Sequence, residues 1–268
     1  MCPTPVAPLA LHYTKSTPVE GLAVAERRVN GPEATLICIH GGLDRAGSFS
    51  RLARRLDSFD VVSYDRRGYQ RSRDLTPLSL DRHLSDLLAI TEVESTKGPV
   101  IYLGHSYGGL VALGAAVAQP LASMVITYES PLPWVLPRQS GRPPLGDDPA
   151  KEVETFFTRM VSKGAWQRLS DAERESRRLD GPALLSDLTV LTQEPPFDIR
   201  QLVVPTSYVH GDGVLRDYYR ALSRLLSELN HLISPVEIAH AGHGAHLANP
   251  DQLSALIQQL WEHQCESA

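Results

Sequence analysis

The chain has 268 residues, 42% hydrophobic and 21% charged, enough to bury one large core in a single α/β domain and far from the make-up of a disordered chain. Lys+Arg 26 against Asp+Glu 31 leaves a net charge of −5, which speaks against a dedicated nucleic-acid binder. The longest small-and-apolar run, Gly108 to Ala118, is too short to cross a bilayer, and Pro3, Pro5 and Pro8 interrupt an N-terminus that has no cationic start. Neither a membrane partner nor a secretory signal is expected. The cysteines, Cys2, Cys38 and Cys265, supply no disulfide framework or Cys-based metal site, and the expected compartment is the reducing cytoplasm.

In chain order, residues 9–14 and 22–29 read as an antiparallel hairpin. Leu36-Ile37-Cys38-Ile39, Val61-Val62-Ser63-Tyr64, Val100-Ile101-Tyr102-Leu103, Met124-Val125-Ile126-Thr127 and residues 202–209 are continuous apolar runs. Runs of this length suit strands of a parallel sheet covered on both faces. Helical spacing falls between them, at residues 48–56, 78–93, 107–118, 215–232 and 252–263. Alternating strand and helix predicts an α/β fold, a doubly wound and mostly parallel sheet. Residues 131–198 break the alternation. They open on a Pro/Gly-rich loop with Gly141, Pro143 and Pro144, then show helical patterns at 149–162, 170–179 and 182–191. A crossover needs one helix, so this stretch is predicted to be a helical lid, leaving 1–130 and 199–268 as the core domain.

The strongest local signal is Gly104-His105-Ser106-Tyr107-Gly108-Gly109, between a predicted strand and a predicted helix. A serine there sits on a sharp strand-to-helix turn. Its hydroxyl projects above the sheet, the next backbone N–H points to the same spot, and Gly104 and Gly108 remove side chains that would clash across the turn. A serine hydroxyl needs a base within hydrogen-bond reach. Of ten histidines, His243 and His246 lie on a Gly-rich loop from which a base can reach over the sheet edge. His240, His243 and His246 also form an H-x-x-H-x-x-H run, but on a Gly-rich loop without a neighbouring carboxylate no metal is expected.

On these residues the chain resembles the α/β-hydrolase superfamily. Further matches follow in the family's order. Ile39-His40-Gly41-Gly42 ends a strand where the family places its second oxyanion donor. Asp65-Arg66-Arg67-Gly68-Tyr69-Gln70-Arg71-Ser72 looks like its D-x-R-G-x-G-x-S loop, departing at Gln70 where Gly is usual. Val209-His210-Gly211-Asp212 ends the late strand, and Ala241-Gly242-His243-Gly244, followed by Pro250, looks like its histidine loop. The resemblance implies a lid-bearing serine hydrolase with Ser106 as nucleophile, His243 as base, Gly42 and Tyr107 as oxyanion donors, and no cofactor or metal. A Ser nucleophile sets it apart from the haloalkane dehalogenase and epoxide hydrolase branches, which use Asp.

The base also needs a carboxylate to fix its tautomer. The family's frequent position, three residues past Gly211, is Val214 and cannot serve. Asp212 and Asp217 remain nearby, while Glu129 ends the strand after the nucleophile's helix in Thr127-Tyr128-Glu129-Ser130-Pro131. A subset of the superfamily carries its acid there, including lactone hydrolases acting on the macrolide zearalenone, with a Glu-x-Pro tail to that strand. Glu129 is the leading candidate and Asp212 the alternative.

Arg51, Arg54, Arg55, Arg66, Arg67, Arg71 and Arg73 read as a solvated helix face and loop ion pairs, or as a surface for an anionic substrate or carrier. Trp134, Phe156, Phe157, Met160 and Trp166 are candidates to wall an apolar pocket above Ser106. The expected partner is a small to medium apolar ester or lactone. Thioester hydrolysis, acyl transfer and C–C cleavage use the same apparatus, and a non-catalytic ligand-binding member of the fold is the reading from another class. The oligomeric state is not legible.

Overall fold

Leu36 and Cys38 turn to one face of their strand and Ile37 and Ile39 to the other, and all four are fully buried. Only a sheet covered on both sides accommodates that. In the computed structural model, which describes residues 10–14, 17–138 and 145–267, this strand is β3 (Ala34–Ile39). The others are β1 (His12–Tyr13), β2 (Val24–Arg27), β4 (Phe59–Tyr64), β5 (Val100–His105), β6 (Met124–Tyr128), β7 (Thr206–Gly211) and β8 (Ile233–Ile238). Their order is β1-β2-β4-β3-β5-β6-β7-β8. β2 pairs antiparallel with both β1 and β4, and the other neighbours pair parallel. Cys2, Gly141, Pro143 and Pro144 lie outside the described residues.

One face is covered by α2 (Leu80–Ser95), α3 (Tyr107–Ala118) and α8 (Arg216–Leu229), through Leu87, Leu110 and Leu222. The other carries α1 (Ser50–Ala53), α9 (Ala245–Ala248) and α10 (Pro250–Ser267), through Leu52, Ala245 and Ile257. Between β6 and β7 stand α4 (Pro149–Met160), α5 (Lys163–Arg168), α6 (Asp171–Arg178) and α7 (Gly181–Val190). Of these, α4, α5 and α7 share a small core with Leu43 and Tyr69, residues of the loops that follow β3 and β4, and so sit over the C-terminal strand ends.

The departures from expectation have local causes. The helix expected at 48–56 is a 3₁₀ turn, Ala46–Phe49, followed by one α-helical turn. The strand expected from 202 begins at Thr206, because Pro205 has no N–H for the ladder and Val203 faces solvent. β8 is an edge strand with a largely exposed middle and a proline at 235, so it lacks the continuous apolar run of its neighbours. Among the described residues no helix is long and apolar enough to cross a membrane.

Candidate active site

The turn from β5 to α3 is tight enough to exclude side chains around it. A Cβ on Gly104 would lie 2.4 Å from the Gly109 Cα, one on Gly108 2.1 Å from the Ile39 carbonyl oxygen, and one on Gly109 1.6 Å from the Ser130 hydroxyl. Ser106, at the corner, takes φ 53° and ψ −124°, a conformation a non-glycine residue holds only when its surroundings enforce it. The Ser106 N–H donates to the Tyr128 carbonyl at 2.8 Å, and the Gly109 N–H to the Ser106 carbonyl at 2.9 Å. Tyr107 opens α3, where first-turn N–H groups lack intrahelical partners. Gly41 packs so close that a Cβ there would lie 2.9 Å from the Ser106 Cβ. Gly42 lines the same cavity as Ser106 and Tyr107.

Glu129 follows β6 at φ 48°, and that turn aims its buried side chain across the strand ends. One carboxylate oxygen accepts the Gly211 N–H at 3.1 Å. The other accepts the His243 Nδ1–H at 2.7 Å, so the imidazole's Nε2 is the nitrogen left for a proton from elsewhere. The histidine loop is pinned on either side of His243. The Tyr128 hydroxyl donates to the Gly242 carbonyl at 2.7 Å, and the His105 Nε2–H to the His243 carbonyl at 2.8 Å. Asp212 does not meet His243; it accepts the Ala241 N–H at 3.2 Å, an anchor for the loop's backbone. Asp217 is exposed on α8.

His246, the second histidine considered as a base, is committed elsewhere. Its Nε2–H donates to Asp44 at 3.1 Å, and its ring stacks on Phe49 at 4.8 Å. A carboxylate distant in sequence therefore does reach the histidine run. Asp44, His105 and His246 bring ligand-type atoms within 4.8 Å of one another. The His246 and His105 Nε2 atoms serve the loop-anchoring bonds just described.

A cavity of about 580 Å³ opens above Ser106. Of the five residues expected to wall it, Phe156 and Met160 do so. Trp134, Phe157 and Trp166 do not. Phe157 and Trp166 pack on each other inside the helical core at 5.4 Å, and Trp134 meets Phe197 edge-on at 6.2 Å. Phe156 and Phe157 part because a step of about 100° around a helix carries a neighbour from core to cavity.

The arginine stretch divides. Arg66 and Arg67 are not solvated: they form buried pairs with Asp187 at 2.6 Å and Asp86 at 2.7 Å. Arg66 also donates to the carbonyls of His40 at 2.8 Å and Gly41 at 3.3 Å, holding the main chain beside Gly42. His40 donates from Nδ1 to the Gly41 carbonyl and accepts the Arg66 N–H at Nε2. Burial, reinforced by the Arg66 charge, pushes its pKa down to about 3, so the ring is neutral. Gln70 takes the positive φ, 46°, of the glycine it replaces, and its side-chain amide donates to Asp180 ahead of α7. The Arg66–Asp187 pair escaped the sequence reading. Its signal was a lone carboxylate within the apolar sequence of α7, Gly-Pro-Ala-Leu-Leu-Ser-Asp-Leu-Thr-Val.

A serine on a strained strand-to-helix corner, with a histidine–carboxylate pair on neighbouring loops of a mostly parallel sheet, defines an α/β-hydrolase type of site. Residues 36–256 match the Alpha/beta hydrolase family, and the chain belongs to it. It is 29% identical over 261 residues to the pimeloyl-[acyl-carrier protein] methyl ester esterase of Stenotrophomonas maltophilia, covering 87% of this chain and 94% of that protein. It is 34% identical over 99 residues to Lipase LipV of Mycobacterium tuberculosis, a match spanning 36% of this chain and 37% of that lipase. The bromoperoxidase of Bacillus anthracis shares the fold, with a TM-score of 0.69 at 17% identity over 94% of this chain and all of that one, 100%.

Proposed function

We propose that this protein is a serine hydrolase that cleaves a carboxylic ester or lactone of a small to medium apolar molecule. The observation that carries the reading is the 2.7 Å bond between His243 Nδ1 and Glu129 beside the strained turn at Ser106. Ser106 attacks the carbonyl carbon while His243 Nε2 takes the hydroxyl proton. Glu129 holds the imidazole in that tautomer and stabilises the imidazolium. The N–H groups of Gly42 and Tyr107 receive the developing oxyanion. Collapse of the tetrahedral intermediate expels the alcohol, which takes the proton back from His243. Water, activated by the same histidine, then releases the acid from Ser106.

Residues 131–198 act as the lid in this reading, with residues 1–130 and 199–268 as the core that carries the chemistry. Met160 on α4 and Leu184 on α7 supply apolar wall above Ser106. The likeness to a methyl ester esterase over 87% of the chain supports an ester as the bond cleaved.

The test is turnover on a panel of aryl esters, acyl thioesters and lactones, with Ser106→Ala alongside and fluorophosphonate labelling of Ser106. Ester or lactone hydrolysis that disappears in Ser106→Ala supports the reading. A preference for thioesters moves the bond class, and a folded protein that neither turns over nor labels sinks the enzyme reading.

A further inference from the structure

Among the described residues, two cationic side chains line the cavity above Ser106: Arg138, on the segment after β6, and Arg159, near the end of α4. Neither forms an ion pair, although every Asp and Glu of the chain lies among the described residues. What holds them is neutral. The Arg138 guanidinium lies over the Tyr218 ring at 5.1 Å and donates to the Tyr219 hydroxyl at 3.2 Å. The Arg159 guanidinium lies over the Phe156 ring at 5.6 Å. Aromatic faces orient a guanidinium without cancelling its charge. Partial burial and the neighbouring Arg138 charge both disfavour the charged form of Arg159, and Glu152 offsets this only in part. The one carboxylate on the cavity wall, Asp187, is spent on Arg66 and on the Tyr69 hydroxyl at 2.7 Å. The cavity thus carries two cations without an ion-pair partner, and much of the rest of its wall is apolar, with Met160, Leu188 and Leu191.

We propose that Arg138 and Arg159 form an anion subsite, so that the substrate is an ester whose acyl or alkyl part ends in a carboxylate or phosphate group, joined by an apolar spacer to the carbonyl that Ser106 attacks. This rests on the reading of Ser106 as the nucleophile. The subsite grips a group that does not react, so its contribution is the same in the ground and transition states and appears in KM rather than kcat.

The experiment compares methyl monoesters of linear dicarboxylic acids with the same esters ending in a carboxamide, and with ω-phosphonate esters, on wild type and on the Arg138→Gln/Arg159→Gln double variant. In wild type the anionic esters are expected to win by about ten- to a hundredfold in kcat/KM, carried by KM, the worth of one or two charge-assisted hydrogen bonds. That ratio should fall toward one in the double variant, and in wild type as NaCl is raised. The better of carboxylate and phosphonate names the group. Equal kcat/KM for charged and carboxamide esters in wild type overturns the subsite and leaves the esterase reading standing. If no ester is turned over, calorimetric binding of the half-ester and its carboxamide to Ser106→Ala decides. Tighter binding of the anion keeps the subsite while the esterase reading falls, and equal binding removes the subsite too.

Discussion

The Arg66 guanidinium and the Asp187 carboxylate meet at 2.6 Å with both side chains essentially out of solvent. The pair joins the loop after β4 to α7, and through the His40 and Gly41 carbonyls it also joins the main chain beside Ser106. The helices over the site and the groups beneath them are thereby one mechanical unit. The Arg66 guanidinium is further enclosed by the rings of Tyr69 at 4.7 Å and Tyr107 at 5.0 Å.

Removing one partner strands a buried charge. Asp187→Ala should lower the unfolding free energy by about 3–5 kcal/mol, whereas Arg66→Met with Asp187→Leu should regain much of that loss. Urea denaturation of the single and double variants checks both. The double variant should still lose ester turnover, since nothing then holds the His40 and Gly41 carbonyls. Full activity in it would separate the pair from the site.

The acid assignment is open to a direct comparison. Glu129→Gln keeps the shape but no longer enforces the tautomer, and kcat should fall by about four orders of magnitude. Asp212→Asn keeps an oxygen for the Ala241 N–H and should cost less than about tenfold, within one ordinary hydrogen bond. Steady-state kinetics on any ester that Ser106 cleaves decides between them, and the reverse pattern would move the acid to Asp212.

Acid should weaken the fold through its histidines before its carboxylates. His40 is held at about 3 by burial and the Arg66 charge. Burial also lowers His83, and lowers His105 well below the usual imidazole value. The unfolded chain protonates these rings near pH 6.5 while the native state keeps them neutral, so their stabilisation is complete above about pH 6.5 and declines as pH falls below it, for His40 down to about 3. His40 contributes a slope of about 1.4 kcal/mol per pH unit between those values, and His83 and His105 add to it in the same direction. Urea midpoints at pH 7 and pH 5 should differ accordingly, and a flat profile would mean that these rings are solvated.

The glycines around Ser106 should tolerate no methyl group. Gly104→Ala and Gly109→Ala place a Cβ 2.4 Å from a backbone carbon and 1.6 Å from the Ser130 hydroxyl, and each should cost about 3 kcal/mol or more. Gly242→Ala, with nothing within 4 Å of its Cβ, should change the melting temperature little. Thermal melts of the three variants check the contrast.

Much of the architecture was legible because it rests on local rules. Continuous apolar runs announced β3 to β6, and Gly-x-Ser-x-Gly between a strand and a helix announced the turn at Ser106. β8 was not delimited, because an edge strand buries too little to leave such a run. α5 was missed because a six-residue helix makes fewer than two turns, too few for its apolar spacing to repeat.

What the sequence by itself determined was the class of sheet, the strained serine corner, and a short list of histidines and carboxylates for its partners. These follow from residue type and spacing along one strand or one turn. Only the tertiary structure decided that Glu129 and not Asp212 meets His243, that Phe156 rather than Phe157 faces the cavity, and that Arg66 and Asp187, 121 residues apart, neutralise each other. A buried hydrogen bond or ion pair depends on where strand ends and helix faces converge, and that convergence is a property of the whole packed sheet, not of any segment of the chain.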